Sequence, residues 1–341
     1  MTTDIRAEHR PRHEEHTPDM SDTTTGRARG GLLHGLPWLV WRRHRTALAT
    51  GLIITVLLSA YFAYQHFAVV DFVQQYGSRA GEKTTVKFGE EFGPAFRGGA
   101  MLLQFLPALI GLFLGAPLIA GEQEHGTIRL VATQSVSRGR WIAATLALPL
   151  TVVVLCTTAL SMTYRWMWLP ARSIAFQGDW LMSGPFDVTG PMLPAMALFY
   201  AVCGITLGML LKRMLTAMVA LVVFMGVFSI NWSRLTEHLA PLRHAFAPLE
   251  QTPSIAADSI YMDNWIATAD GKLYGIGTCI DEPSEAAIDA CRAKMGITQE
   301  VTDYFAFDQM AGMQWRGSLI LLAASVLILA FVAWRAHRRP L

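Results

Sequence analysis

Six stretches of about 20 apolar residues recur along this chain, each long enough to cross the hydrocarbon core of a bilayer as a helix. They run Thr46–Val70, Gly99–Ala120, Ile142–Tyr164, Met192–Leu211, Met214–Ile230 and Gly317–Trp334. None contains Asp, Glu, Lys or Arg, and their one histidine is His66. In hydrocarbon every backbone N–H and C=O must be satisfied within the segment, so this pattern predicts an all-α polytopic membrane protein. The fifth stretch has only 17 residues, but Lys212 and Arg213 before it and Asn231 after it mark its ends. A re-entrant hairpin built from the fourth and fifth stretches is the alternative. Composition agrees with the pattern: 16% of residues are charged, whereas soluble domains carry about a quarter.

Basic residues orient the helices, because short cytoplasmic loops collect Lys and Arg. Arg42, Arg43 and Arg45 precede the first span, and Arg129, Arg138 and Arg140 lie between the second and third. Lys212 and Arg213 separate the fourth and fifth, and Arg335, Arg338 and Arg339 follow the sixth. All four clusters fall on one side, which predicts a multi-pass plasma-membrane protein with both termini cytoplasmic. Residues 71–98, 165–191 and 231–316 then fall outside. The last of these is acidic, with 12 acidic against 5 basic residues between 231 and 314. A net formal charge of +2 is too small to point to nucleic acid.

Four regions follow. Residues 1–35 mix charges with Pro, Gly, Ser and Thr, and read as a disordered cytoplasmic tail. Residues 36–230 hold an entry segment and spans one to five. That segment, "GLPWLVWRRHR", suits an interfacial helix with rings at the headgroups, and equally an ordinary aromatic and basic flank. Residues 231–316 are too long for a plain loop, and form an extracytoplasmic α+β insertion before the last span, which 317–341 complete. Within the insertion, Asp270-Gly271 separates two strand-like runs as a hairpin signal, and Pro283, Ser284 and Glu285 open a helix that stops at Gly296. Cys279 and Cys291 both fall in this region and are expected to pair as a disulfide, the alternative being two free thiols. Cys156 and Cys203 sit within spans as packing residues.

Several chemistries lack their residues. Ion-coupled transporters place ionisable groups deep in their spans, and these spans have none. No H-E-x-x-H pattern is present, and "EQEH" at 122–125 lacks metal-ligand spacing, so no metal site is expected. "GSRAGEKTT" at 77–85 departs from the phosphate-loop spacing, so no nucleotide site is expected in this chain either, and it is not read as an enzyme.

The polar insert "GAPLIAGEQEHGTIRLVATQSVSRGRW" at 115–141 is the most ordered feature left. Gly126 and Thr127 can open a short helix over Ile128 to Gln134, with Glu122 and Glu124 before its positive end. Ile128, Val131 and Ala132 share one face, and Arg129 and Thr133 another. Physical chemistry leaves two readings open: a connector whose charges set orientation, and a docking element.

This insert resembles the signature between spans two and three of ABC-2 type permeases, the membrane subunits of bacterial ATP-driven exporters. "WLVWRRHR" is similar to that family's amphipathic entry helix, and "YFAFDQMAGMQWRGSLILL" to its approach to the last span. The resemblance covers most of residues 36–341; the long tail and the cysteine pair are not part of the general pattern. It implies that Glu122, Glu124, His125, Gly126, Thr127, Arg129, Thr133 and Gln134, within a coupling helix at 122–135, meet a separate ABC ATPase subunit. ATP and Mg would be bound by that partner, with no cofactor in this chain. It further implies a second permease subunit, as homodimer or heterodimer, in contact with membrane lipid. The cargo would be unidentified and hydrophobic or amphipathic, to which Met192, Met196, Met209 and Met218 would contribute if they line the pathway and do not simply pack. The competing readings are a membrane-anchored sensor whose outer domain binds a ligand, and a membrane enzyme with its site in that domain.

Overall fold

A computed structural model describes residues 36–76, 81–124, 138–249 and 251–338. Helices α1 (Leu36–Tyr76) and α2 (Glu82–Ile110) are followed by one π-helical turn (Gly111–Gly115) that runs on into α3 (Ala116–Glu124). Next come α4 (Arg138–Trp168), a short α5 (Pro185–Val188), α6 (Met192–Leu211) and α7 (Met214–Thr236). The C-terminal part holds β1 (Arg243–Pro248), β2 (Ile260–Thr268), β3 (Leu273–Gly275), α8 (Glu285–Lys294), β4 (Ile297–Phe305) and α9 (Phe307–Arg338). Six helical segments are long and apolar enough to cross a membrane: Arg45–Tyr76, Glu82–Gly121, Thr145–Ala171, Met192–Leu211, Met214–Thr236 and Phe307–Arg335.

The helices outrun the apolar stretches. α2 begins at Glu82, well before the charge-free segment, because Phe88, Phe92 and Phe96 recur every four residues and share one face. Phe72 near the end of α1 packs on this face, with ring centroids 5.5 Å from Phe88 and 5.6 Å from Phe92. Lys87 lies 3.9 Å over the Tyr76 ring, so even the polar side of the junction is held by an aromatic. Farther along, α1 packs on α4: Phe62 meets Tyr164 edge to face at 5.3 Å, and His66 stacks on Trp166 at 3.9 Å. The buried Tyr164 hydroxyl donates to the Phe96 carbonyl at 2.9 Å, tying α4 to α2 as well.

α6 is the hub. Within the protein 72% of its apolar window is buried, against 17% for the first and fifth spans, so its neighbours shield it from lipid while α1 and α7 offer broad apolar faces outward. Between α4 and α6 the chain makes one short 3-10 turn, a turn at Ala175–Gly178 in which Phe176 and Gln177 take φ of 55° and 58°, and α5, and buried polar groups fasten this connection. Gln314 of α9, 1% exposed, donates Nε2 to the carbonyls of Phe186 and Thr189, each at 2.9 Å. Ser161 of α4 donates to the Gly190 carbonyl at 2.7 Å.

The four strands form an antiparallel sheet in the order β1-β4-β2-β3. β2 and β3 make the hairpin at Asp270-Gly271, where Gly271 takes φ +86°, a conformation that favours glycine. Asp303, buried in β4, accepts from Trp265 Nε1 at 3.0 Å and pairs with His244 Nδ1, so one carboxylate joins three strands. Ser284 caps α8 by accepting from the Ala287 N–H at 3.3 Å, and Cys279 and Cys291 are joined by a disulfide. Arg172 of the α4–α5 connection binds Asp258 at 2.9 Å and lies 4.6 Å over the Phe307 ring, where α9 begins. Trp180 Nε1 donates to the Asp258 carbonyl at 3.0 Å. The sheet is thus anchored to the helices through Asp258.

Candidate functional site

Glu122 and Glu124 fall in the last turn of α3. The Glu124 carboxylate accepts the backbone N–H of Met214 at 3.3 Å, and Met214 is the first residue of α7. A helix N-terminus carries free N–H groups and a partial positive charge, so an exposed acidic side chain is favoured there. The link between α6 and α7 is only Lys212 and Arg213. Lys212 adopts φ +57° and donates its N–H to the Gly208 carbonyl at 3.1 Å, closing α6 with a left-handed cap. One acidic helix end, one helix start and two cations therefore meet at one end of the bundle. His125, Gly126, Thr127, Arg129, Thr133 and Gln134 lie outside the described residues, as does the expected helix over 128–134.

What lies behind Glu124 is unusually tight. The π turn and α3 press against α6 along small residues. A methyl group on Gly204 would stand 2.5 Å from the Gly111 carbonyl oxygen, and one on Gly208 would stand 2.5 Å from that of Ala116. From the other side, a methyl group on Gly115 would stand 2.5 Å from the Ala201 carbonyl. Backbones this close leave no room for any side chain, which is how membrane helices gain packing where the hydrophobic effect does not draw them together. Sequence reasoning passed over these positions, although both "GLFLG" (111–115) and "GITLG" (204–208) carry glycine at four-residue spacing, the readable signal for such a seam.

The four methionines divide. Met192 and Met209 are fully buried and pack the helices together, Met192 against the Ser318 hydroxyl at 3.3 Å. Met196 and Met218 are partly exposed. An apolar cavity of about 500 Å³ lies between α1, α2 and α4, beside Ile54, Leu106 and Cys156.

A family model described as ABC-2 membrane transporter related matches residues 52–236, from within α1 to the last residue of α7. No curated protein and no solved structure matches the chain. The matched stretch contains the acidic end of α3, the π turn and both glycine pairs. Together with six membrane-spanning helices, this makes the chain a multi-pass transporter membrane subunit that belongs to the ABC-2 membrane transporter related family.

Proposed function

We propose that this chain is the permease subunit of an ABC-2 type exporter, driven by a separate ATPase subunit and moving a hydrophobic or amphipathic cargo across the plasma membrane. Both termini and the 122–135 insert face the cytoplasm in this reading, and the sheet and α8 face outside. Basic clusters at one end of the spans and the acidic 231–314 segment at the other support that orientation. ABC-2 membrane subunits work with ATPase partners in general. The observation that carries the coupling role is the Glu124 contact to the start of α7, backed by the glycine seam against α6. A push on the insert reaches α6 through close backbone contacts and α7 through the Glu124 carboxylate. Two such subunits, identical or sister chains, would line one pathway, and the broad apolar faces of α1 and α7 leave surface for that pairing.

The test is co-expression with candidate ABC ATPases from the same organism. Glu124→Ala and Gly126→Leu are expected to reduce co-purification of the ATPase at least tenfold and to abolish ATP-dependent efflux, with membrane insertion intact. If both variants retain complex formation and efflux, the insert is only a connector.

A further inference from the structure

A second cavity, about 330 Å³, lies where α2, α5, α6 and the C-terminal end of α7 converge. Its lining mixes apolar side chains with the polar groups of Gln104, Asp187, Tyr200, Ser229, Trp232, Ser233 and Thr236. Two of these groups are orphans. Asp187 Oδ1 and Trp232 Nε1 are both buried without a hydrogen-bond partner, and Trp232 is only 7% exposed. An unsatisfied buried donor or acceptor costs about 1–3 kcal/mol, and these two are a donor and an acceptor close to each other at the cavity wall. Burial pushes the Asp187 carboxyl up to about 6, and the nearby Trp232 and Gln104 side chains offset part of that rise without closing a hydrogen bond to Oδ1.

We propose that this cavity binds the charged head of an amphipathic organic cation, with Asp187 as its counter-charge and Trp232 as its aromatic wall. The sign follows from the lining, since Asp187 is its only charged group among the described residues and no cation neutralises it. Tyr200 is the other titratable group that faces the carboxylate. Trp232, whose ring stacks on Phe228, adds an aromatic wall, and Met182 and Met196 line the space for an apolar body. A bare metal ion fits badly, because hard cations favour several carboxylates among six or more oxygen ligands and this cavity supplies one carboxylate. The inference rests on the exporter reading only in making the bound cation a cargo; the site itself stands on the cavity.

The test uses full-length protein in lipid nanodiscs without an ATPase, with radiolabelled benzyltrimethylammonium as the probe. Neopentylbenzene, which replaces the nitrogen by carbon in the same shape, is the neutral competitor. Saturable binding at pH 7.5 is expected, undisplaced by the neutral compound and weakened at least tenfold by Asp187→Asn and several-fold by Trp232→Phe. In the unaltered protein, affinity for this permanently charged probe should fall about tenfold between pH 7.5 and 5, as the carboxylate gains its proton. That arm needs no variant, so a folding defect cannot obscure it. Absence of saturable binding, equal competition by neopentylbenzene, or binding indifferent to both pH and Asp187→Asn would overturn the site. Cation binding without ATP-dependent efflux would keep the site and defeat the exporter reading, whereas efflux of neutral cargo without cation binding would do the reverse.

Discussion

At the scale of single residues, Asp187 is a carboxylate of the connection between α4 and α6 that the surrounding helices bury. Its folded carboxyl is raised to about 6 from an ordinary value of 3.8, so the empty protein binds that proton more tightly than the unfolded chain does. The stabilisation is fully present below the ordinary value and is lost as pH rises through the folded one. Thermal unfolding of the unliganded protein in detergent should therefore show about 1 kcal/mol more stability at pH 5 than at pH 7.5 from this group. Asp187→Asn should remove that pH-dependent part and raise the midpoint at pH 7.5. A variant whose pH dependence matches the parent would place the carboxylate in contact with water. Nothing in "SGPFDVTGP" announces this burial, since Gly, Pro and Ser around an acid read as a solvated turn. Only the convergence of α6 with α2 and α7, both distant in sequence, buries it.

At the scale of elements, the seam between α6 and the π turn makes the sharpest claim. Gly204→Val and Gly208→Val should each force α6 off its partner, lowering stability by about 2 kcal/mol or more and releasing Glu124 from the start of α7. Gly226→Ala in α7 is the control, because nothing lies within 4 Å of the added methyl group and alanine favours a helix. A thermal-shift series comparing the three separates close packing from a general intolerance of change. The spans themselves were legible, because charge-free runs of this length have one folded solution in lipid. So were the hairpin at Asp270-Gly271 and the Ser284 cap, each set by a local residue type. The π turn was not legible: one extra residue in a turn changes the phase of the helix without changing its hydrophobicity. The extension of α2 back to Glu82 was hidden for a related reason, since its support comes from Phe72 on another helix.

At the scale of the whole molecule, the sheet joins the helices through the Arg243–Asp308 pair, through Ile260 and Phe305 in the helices' own core, and through two hydrogen bonds at Asp258. Asp258→Ala should leave both parts folded while speeding hydrogen exchange around residues 172–181 and 256–260 roughly tenfold, as read by mass spectrometry. Exchange unchanged from the parent would show that the remaining helix–strand contacts suffice. The coupling role stays the least legible part of the chain, because the partner that its eight named residues are expected to meet is a separate protein and six of the eight lie outside the described residues. α6 also imposes an order on biosynthesis. The helices ahead of α6 leave the ribosome first, so the wall formed by Gly111 and Gly115 waits for Gly204 and Gly208 to cover it. During that interval the nascent chain displays a narrow backbone-lined slot, the kind of feature by which an insertase or a membrane protease could tell an unfinished copy from a finished one.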